Sequence, residues 1–275
     1  MATSHSLIQK NHLIALLFLL FLGVLLRIPN LTESLWYDEV YSTKIWLEAG
    51  RLSWLPWDKH PPFYNLLMFL WIMVLGDSEI SVRMQPLICG ILSILLTYYV
   101  VYKYADKKTA LLTSFFLCFS PVHIWYSQEA RRSTTVLLFL LITAFAFYKL
   151  RVSKNNIIRW YLAYGISRLL AVFTHYCSVI FLLVFSMLSL PPKDRIRRTI
   201  LTLNLCIFIC ITAYVLWKYA LGYFNLGGGY HYLREFTLLD LWLFFFNWFT
   251  FAMRSGISGL KVPMGLRYKR PRFFC

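Results

Sequence analysis

Long apolar runs, separated by short polar connections, make up most of the chain from residue 12 onward. A run of about 20 apolar residues is long enough to cross a bilayer core of about 30 Å as a helix. Such spans are predicted at 12–29, 85–102, 109–122, 133–150, 159–174, 177–190, 199–220 and 237–255. The pattern therefore predicts an all-α membrane protein, a polytopic bundle of about eight transmembrane helices.

The apolar run 61–76 is short for a membrane crossing. If it crossed, the basic loops that follow would lie outside; if it lies on the outer surface, every basic loop falls inside. We therefore expect the first loop, 30–84, to be external and to carry juxtamembrane helices. The same assignment gives a transmembrane domain over 1–255 and a basic cytoplasmic tail over 256–275.

Composition and charge agree with this reading. The chain is 59 % hydrophobic and 15 % charged, whereas soluble domains are about 25 % charged. A net charge of +16 would suggest nucleic acid in a soluble protein, but the basic residues cluster between spans, at 103–108, 151–159, 193–198 and 261–272. This is the positive-inside pattern of cytoplasmic loops. We expect membrane lipids as partners, no nucleic acid, and a multi-pass protein of the plasma (inner) membrane.

The segment "LWYDEVYS" (35–42) places Asp38 and Glu39 directly after the first span, among aromatic residues. One interpretation is an aromatic belt at headgroup level, with charges that solvate the loop. The other is catalytic, because a carboxylate at the edge of an apolar slab has a raised proton affinity and can act as a general base. Neighbouring residues do not face each other, so a glycosidase-like carboxylate pair is disfavoured. One of the two is the expected base, and the other organises the site or binds a cation.

Two further external segments carry candidate ligands for a phosphate or a sugar. In "DKHPPFYN" (58–65), Pro61 and Pro62 would hold Lys59 and His60 rigidly at the surface. A plain helix-entry turn with a solvated histidine is the alternative. In "FTHYC" (173–177), His175 and Tyr176 lie between two spans and are expected to face a bundle interior or a cavity, unless they are packing residues.

The segment "SPVHIWYSQEARR" (120–132) contains two arginines on the predicted external side, against the positive-inside bias. The arginine fork binds phosphate oxygens in a bidentate manner, and a lipid-linked phosphate at the outer leaflet is a suitable ligand. The alternative is a local Arg–Glu pair, with one arginine reaching the headgroups. The candidate donor-binding residues of this segment are Tyr126, Gln128, Glu129, Arg131 and Arg132.

Together, these motifs resemble the GT-C superfamily of integral-membrane glycosyltransferases, over roughly residues 12–190. The nearest branch includes the protein O-mannosyltransferases and the lipid A aminoarabinose transferases. The resemblance implies transfer of a sugar from a polyprenyl-phosphate donor on the external or periplasmic face, to a lipid, glycan or protein acceptor. It also implies that Asp38 is the catalytic base beside Glu39, that His60 shapes its loop, and that Glu129 and Arg131 line the donor site.

The predicted reaction is an inverting single displacement, in which Arg131 stabilises the leaving phosphate, with Arg132 or Lys59 behind it. No cofactor follows from the sequence, and a divalent cation remains an option. A transporter or flippase of lipid-linked sugar is the alternative, although few polar residues lie in the spans. Family members are usually longer than this chain and place an aromatic residue where Ser133 stands. An inactive truncated homologue is therefore a further alternative.

Overall fold

A computed structural model describes residues 2–48, 60–152, 156–189 and 195–220, which all belong to one compact unit. This part of the chain forms α-helices joined by short links. In chain order the helices are α1 (Ala2–Leu25), α2 (Tyr37–Glu48), α3 (Phe63–Leu75), α4 (Glu79–Tyr104), α5 (Lys107–Phe119), α6 (Pro121–Ser127), α7 (Ser133–Val152), α8 (Ile157–Thr174), α9 (Ser178–Met187) and α10 (Arg195–Ala220).

The helical class is confirmed, and each predicted span within the described residues coincides with a helix or a helix pair. By length and apolar composition, α4 and α7 can each cross a membrane. A third candidate span consists of α5 and α6, which are bent by 63° relative to each other. The total of about eight spans stays a prediction. The span at 237–255 and the tail at 256–275 lie outside the described residues.

Local sequence explains where the helices near the site begin and end. Pro121 starts α6, where its missing N–H costs nothing, and the Ser120 hydroxyl caps this helix by accepting from the His123 N–H. The helix α3 ends at Gly76, whose φ of 82° lies in the region that glycine adopts without strain. The first loop, between α1 and α4, contains the helices α2 and α3, in agreement with the helices predicted for it.

A buried arginine fastens the end of α1 to α5 and α6. Arg27 is fully enclosed and donates to the Gly23 carbonyl at 2.8 Å, to Ser127 Oγ at 3.1 Å, to the Cys118 carbonyl at 3.3 Å and to His123 Nδ1 at 2.7 Å. Hydrogen-bonded charge of this kind is costly to disrupt once buried. The segment that follows α6 is therefore held against the beginning of the first loop.

Close helix packing at Gly90 completes this support. A Cβ atom at Gly90 of α4 would stand 2.3 Å from Ser127 Oγ of α6. Since real Cβ atoms do not approach so closely, only glycine lets α4 and α6 meet here. The turn after α6 is thus fixed on both sides, by α1 and by α4.

A separate polar network joins α8, α9 and α10. Tyr164 donates its hydroxyl to Asn204 Oδ1 at 2.9 Å, and Asn204 donates to Ser186 Oγ at 2.8 Å. The guanidinium of Arg168 lies over the rings of Tyr164 and Phe185, with centroid distances of 5.5 and 5.2 Å. Asn204 is one of the few polar residues in the predicted spans, and it contributes to contacts between helices.

Candidate active site

Glu39 forms the buried anchor of the candidate site. Its side chain is 0 % exposed, and it receives a bidentate ion pair from Arg83, with Nε–Oε1 at 2.8 Å and Nη2–Oε2 at 2.6 Å. The backbone N–H groups of Ala130 and Trp36 also donate to this carboxylate, at 2.8 and 3.3 Å. Both oxygens are engaged, so Glu39 joins the start of α2 to α4 and to the turn before α7.

Arg83 organises the loop that leads into α2. Its Nη1 donates to the backbone carbonyls of Asn30, Leu31 and Glu33, at 2.9, 3.2 and 2.5 Å, and Nη2 reaches the Ser34 carbonyl at 3.3 Å. Charge-assisted hydrogen bonds to backbone carbonyls give a loop a defined shape. One side chain at the beginning of α4 therefore fixes both residues 30–34 and Glu39.

Asp38, the neighbour of Glu39, lies in a different environment. Its side chain is 43 % exposed, and its Oδ2 is 3.3 Å from Arg131 Nη2. Arg131 is 35 % exposed, and its Nη1 is 3.7 Å from Glu129 Oε2. The guanidinium also lies 5.3 Å from the centroid of the Trp36 ring. Arg131 is thus shared between two carboxylates and an aromatic ring, at a place that solvent reaches.

Glu129 is the titratable group of this cluster. It is 6 % exposed, and burial raises its pKa to about 7. The negative charges of Glu39 and Asp38 add to the increase, whereas Arg131 and a hydrogen bond with Trp125 oppose it. The Arg131 contact of 3.7 Å is too long for a hydrogen bond. The carboxyl therefore changes its charge near neutral pH.

The link between α8 and α9 approaches the same cluster. Burial lowers the pKa of His175, and electrostatic interactions with Arg132, His60 and Arg131 lower it further. These electrostatic contributions require the side chains to be near one another. Arg132 itself is buried, with its guanidinium 5.7 Å from the centroid of the Tyr64 ring. Three polar links that are distant in sequence thus meet here, and Arg131 and Arg132 give the cluster its positive charge.

The remaining predicted site residues have other surroundings. Gln128 donates to the carbonyls of Pro29 and Leu26, at 2.7 and 3.4 Å, and thereby ties the turn to the end of α1. Tyr126 is half-buried on α6, and Tyr176 packs against an apolar cluster of α8 and α10. Lys59 lies outside the described residues. The described contacts of Gln128 hold the turn in place beside the site.

Sequence reasoning missed Arg83, although a usable signal was present. In the predicted topology, Arg83 lies on the external side, where arginine is disfavoured. The same exception drew attention to Arg131 and Arg132. An arginine in the first turns of an apolar helix, after a loop that carries an adjacent acidic pair, favours a buried ion pair.

No group of three or more His, Cys, Asp or Glu side chains within the described ranges is arranged to hold a metal ion. The cationic group placed between Asp38 and Glu129 is the Arg131 guanidinium. A divalent cation therefore stays a prediction.

A family model described as dolichyl-phosphate-mannose-protein mannosyltransferase matches residues 59–217, more than half of the chain. This range includes Arg83, the turn with Glu129 and Arg131, and the α8–α9 link. A search among curated proteins finds no match.

Proposed function

The chain belongs to the dolichyl-phosphate-mannose-protein mannosyltransferase family, and we propose that it transfers a sugar from a polyprenyl-phosphate donor to an acceptor hydroxyl. Membership makes it a membrane glycosyltransferase of the GT-C type. The observation that carries the finer proposal is the half-exposed Asp38, held beside Arg131 on a scaffold fixed by the buried Glu39–Arg83 pair.

In the proposed reaction Asp38 is the general base. The acceptor oxygen attacks the anomeric carbon while Asp38 takes the hydroxyl proton, and the carbon–oxygen bond to the phosphate breaks with its electron pair on the phosphate. The phosphate is a good leaving group, so the protein needs chiefly to position the reactants and to stabilise the departing negative charge. Displacement from the opposite face inverts the anomeric configuration.

Arg131 is the proposed phosphate ligand. In the free protein its guanidinium lies 3.3 Å from Asp38 and 3.7 Å from Glu129. A donor phosphate would compete for the same N–H groups and thereby release the Asp38 carboxylate to accept a proton. The positive charge of Arg132, which acts on the half-buried His175, adds to the attraction. Binding of the donor and exposure of the base are coupled through one side chain.

Glu39 is proposed to position the catalytic residue rather than to react. A carboxylate that already accepts four hydrogen bonds has little capacity to take a substrate proton. Its contacts fix the first turn of α2, on which Asp38 stands. The two adjacent acids therefore have different proposed roles. Glu39 is held by the fold, and Asp38 faces the substrate.

We place this site on the external side of the plasma (inner) membrane, in an eight-span bundle. The basic residues Lys103 and Lys149 support this orientation, because they stand at the ends of α4 and α7 that are remote from Arg83 and Arg131. The acceptor would then be a lipid, glycan or protein outside the cell. The basic tail at 256–275 would lie inside.

The test is transfer from polyprenyl-phosphate mannose by the protein in liposomes. We expect Asp38→Asn to lower the turnover rate by about 10²–10⁴-fold, the usual contribution of a general base. The matched control is Asp77→Asn, which changes an exposed acid in the link between α3 and α4. Undiminished turnover by Asp38→Asn would rule out the assigned base. The absence of transfer by the unmodified protein from any polyprenyl-phosphate sugar would rule out the donor class.

A further inference from the structure

A continuous row of aromatic rings crosses α4, α7 and α8 at one end of the bundle. The rings of Tyr99 and Phe145 meet edge-on with centroids 5.2 Å apart, and Phe145 meets Trp160 in the same way at 5.6 Å. Tyr99 is exposed, and Phe145 and Trp160 are half-buried. We call these three residues, with the cations that lie on them, the ring surface.

The ring surface includes three cations that lie over its rings. Lys103 Nζ is 5.4 Å from the Tyr99 centroid, Lys149 Nζ is 5.6 Å from both Phe145 and Trp160, and the Arg159 guanidinium is 5.4 Å from Trp160. A cation that rests on a ring face keeps its full charge and its hydrogen-bond donors. The three charges are therefore placed side by side without being neutralised by the rings.

Nearby negative charge is scarce. Among the described residues 99–108, 144–152 and 156–160, the single acid is Asp106. Its carboxylate caps α5, accepting from the backbone N–H groups of Lys108 and Thr109 at 2.8 and 3.1 Å and from the Thr109 hydroxyl at 2.6 Å. The caps lower the pKa of Asp106, so it stays ionised, but its oxygens are already occupied. The ring surface is thus complementary to an external anion.

The position of the ring surface in the membrane indicates which kind of anion it would bind. Lys103 follows Arg83 by 20 residues along α4, which corresponds to about 30 Å of helix. This distance matches the thickness of a bilayer core, and α4 and α7 are helices able to cross it. Rings and cations at such a helix end lie at the depth of the lipid headgroups.

We propose that the ring surface binds an anionic phospholipid, with the headgroup phosphate on Lys103, Lys149 and Arg159. The exposed edge of Tyr99 then contacts the glycerol and the first acyl carbons. A soluble phosphate compound would leave this apolar part of the surface uncovered. Nucleic acid is disfavoured because Tyr99 lies on the same face of α4 as the exposed apolar residues Leu92 and Leu95, and a polyanion cannot follow this face into the bilayer core. This inference does not depend on the proposed glycosyl transfer.

The experiment measures binding of phosphatidylglycerol and of phosphatidylcholine to the purified full chain by native mass spectrometry. A basic residue at a membrane surface contributes about a factor of five in affinity, equivalent to about 1 kcal/mol. We expect Lys149→Gln with Arg159→Gln to weaken phosphatidylglycerol binding by more than about tenfold and to leave phosphatidylcholine binding unchanged. Lys103→Gln, expected to weaken it about fivefold, serves as a second variant if the first does not fold.

The matched control combines Arg195→Gln and Arg198→Gln, which remove the same charge from exposed positions at the start of α10. An equal loss of binding in both double variants would overturn the proposal, because it would mean attraction by net charge alone. Full competition by soluble glycerol phosphate would also overturn it and assign the surface to a soluble anion. Displacement of the lipid by polyglutamate, but not by excess phosphatidylglycerol, would overturn the proposal and assign the ring surface to an acidic protein.

Discussion

Asp38 and Glu39 are adjacent in sequence, yet each pairs with a different arginine in a different environment. Glu39 and Arg83 are almost completely buried and share two short hydrogen bonds. Asp38 and Arg131 are both more than one-third exposed and make one contact of 3.3 Å. The difference arises because successive residues of α2 point in different directions, so one acid faces α4 and the other faces outward.

This contrast explains how the proposed catalytic carboxylate can remain available in a chain with a net charge of +16. A buried, bidentate pair is strongly coupled and does not exchange partners easily. An exposed pair contributes little to stability and can open when a better ligand arrives. The buried pair thus fixes the position of Asp38, whereas the exposed pair leaves it accessible.

The largest predicted effect on stability follows removal of the buried carboxylate. Glu39→Gln leaves Arg83 as an uncompensated buried charge, and we expect the free energy of unfolding to fall by about 3–5 kcal/mol. Asp38→Asn, next to it, is expected to change it by less than about 1 kcal/mol, because its pair is exposed. Denaturant unfolding in matched detergent, monitored by circular dichroism, compares the two.

Equal destabilisation by the two substitutions would contradict the comparison. The double variant Glu39→Gln with Arg83→Gln separates charge from hydrogen bonding. It removes the buried charge, but it also removes the Arg83 donor from the carbonyls of Asn30, Leu31, Glu33 and Ser34. Partial recovery of stability is therefore expected, and complete recovery would show that the loop contacts contribute nothing.

Glu129 allows a sharper test, because its effect depends on pH. In the unfolded chain its carboxyl ionises near the ordinary value of 4.5, whereas in the fold its pKa is about 7. The folded state therefore holds the proton more tightly, and stability decreases as pH rises from 4.5 to about 7. A shift of this size corresponds to about 3 kcal/mol. Glu129→Gln should thus raise the thermal midpoint at pH 8 and leave it nearly unchanged at pH 4.

The control for this prediction is Glu33→Gln, an exposed acid in the first loop. Surface substitutions of this kind change stability by about 0.5 kcal/mol or less. A pH-independent effect of Glu129→Gln would mean that burial does not govern the ionisation of this carboxyl. The cluster of Asp38, Arg131 and Glu129 would then lack the carboxyl with a raised pKa that distinguishes it from the Glu39–Arg83 pair.

Features that follow from local sequence patterns could be predicted, whereas features that follow from contacts between residues distant in sequence could not. The period of the apolar runs indicates helices, and α4 and α7 coincide closely with the predicted spans at 85–102 and 133–150. The acidic pair and the two arginines of 120–132 were identified because they break the local pattern. The partner of each acid was not predictable, because Arg83 is 44 residues from Glu39 and nothing local specifies which arginine faces which acid. The burial that raises the pKa of Glu129 likewise depends on helices distant in sequence.

Substitution of Arg131 is predicted to change stability less than substitution of Glu39 or Glu129, and it separates the proposed catalytic role of the site from its role in folding. Arg131→Gln removes a half-exposed ion pair and a contact with Trp36, which together contribute about 1 kcal/mol. If Arg131 binds the departing phosphate, the same substitution lowers turnover by about 10²–10³-fold, as expected for loss of one preorganised donor. Arg131→Lys keeps the charge without the fork and should restore part of this loss. A loss of about 3 kcal/mol or more of stability would mean that Arg131 is a structural residue like Arg83, and transfer of sugar at the parent rate would mean that Arg131 does not bind the departing phosphate.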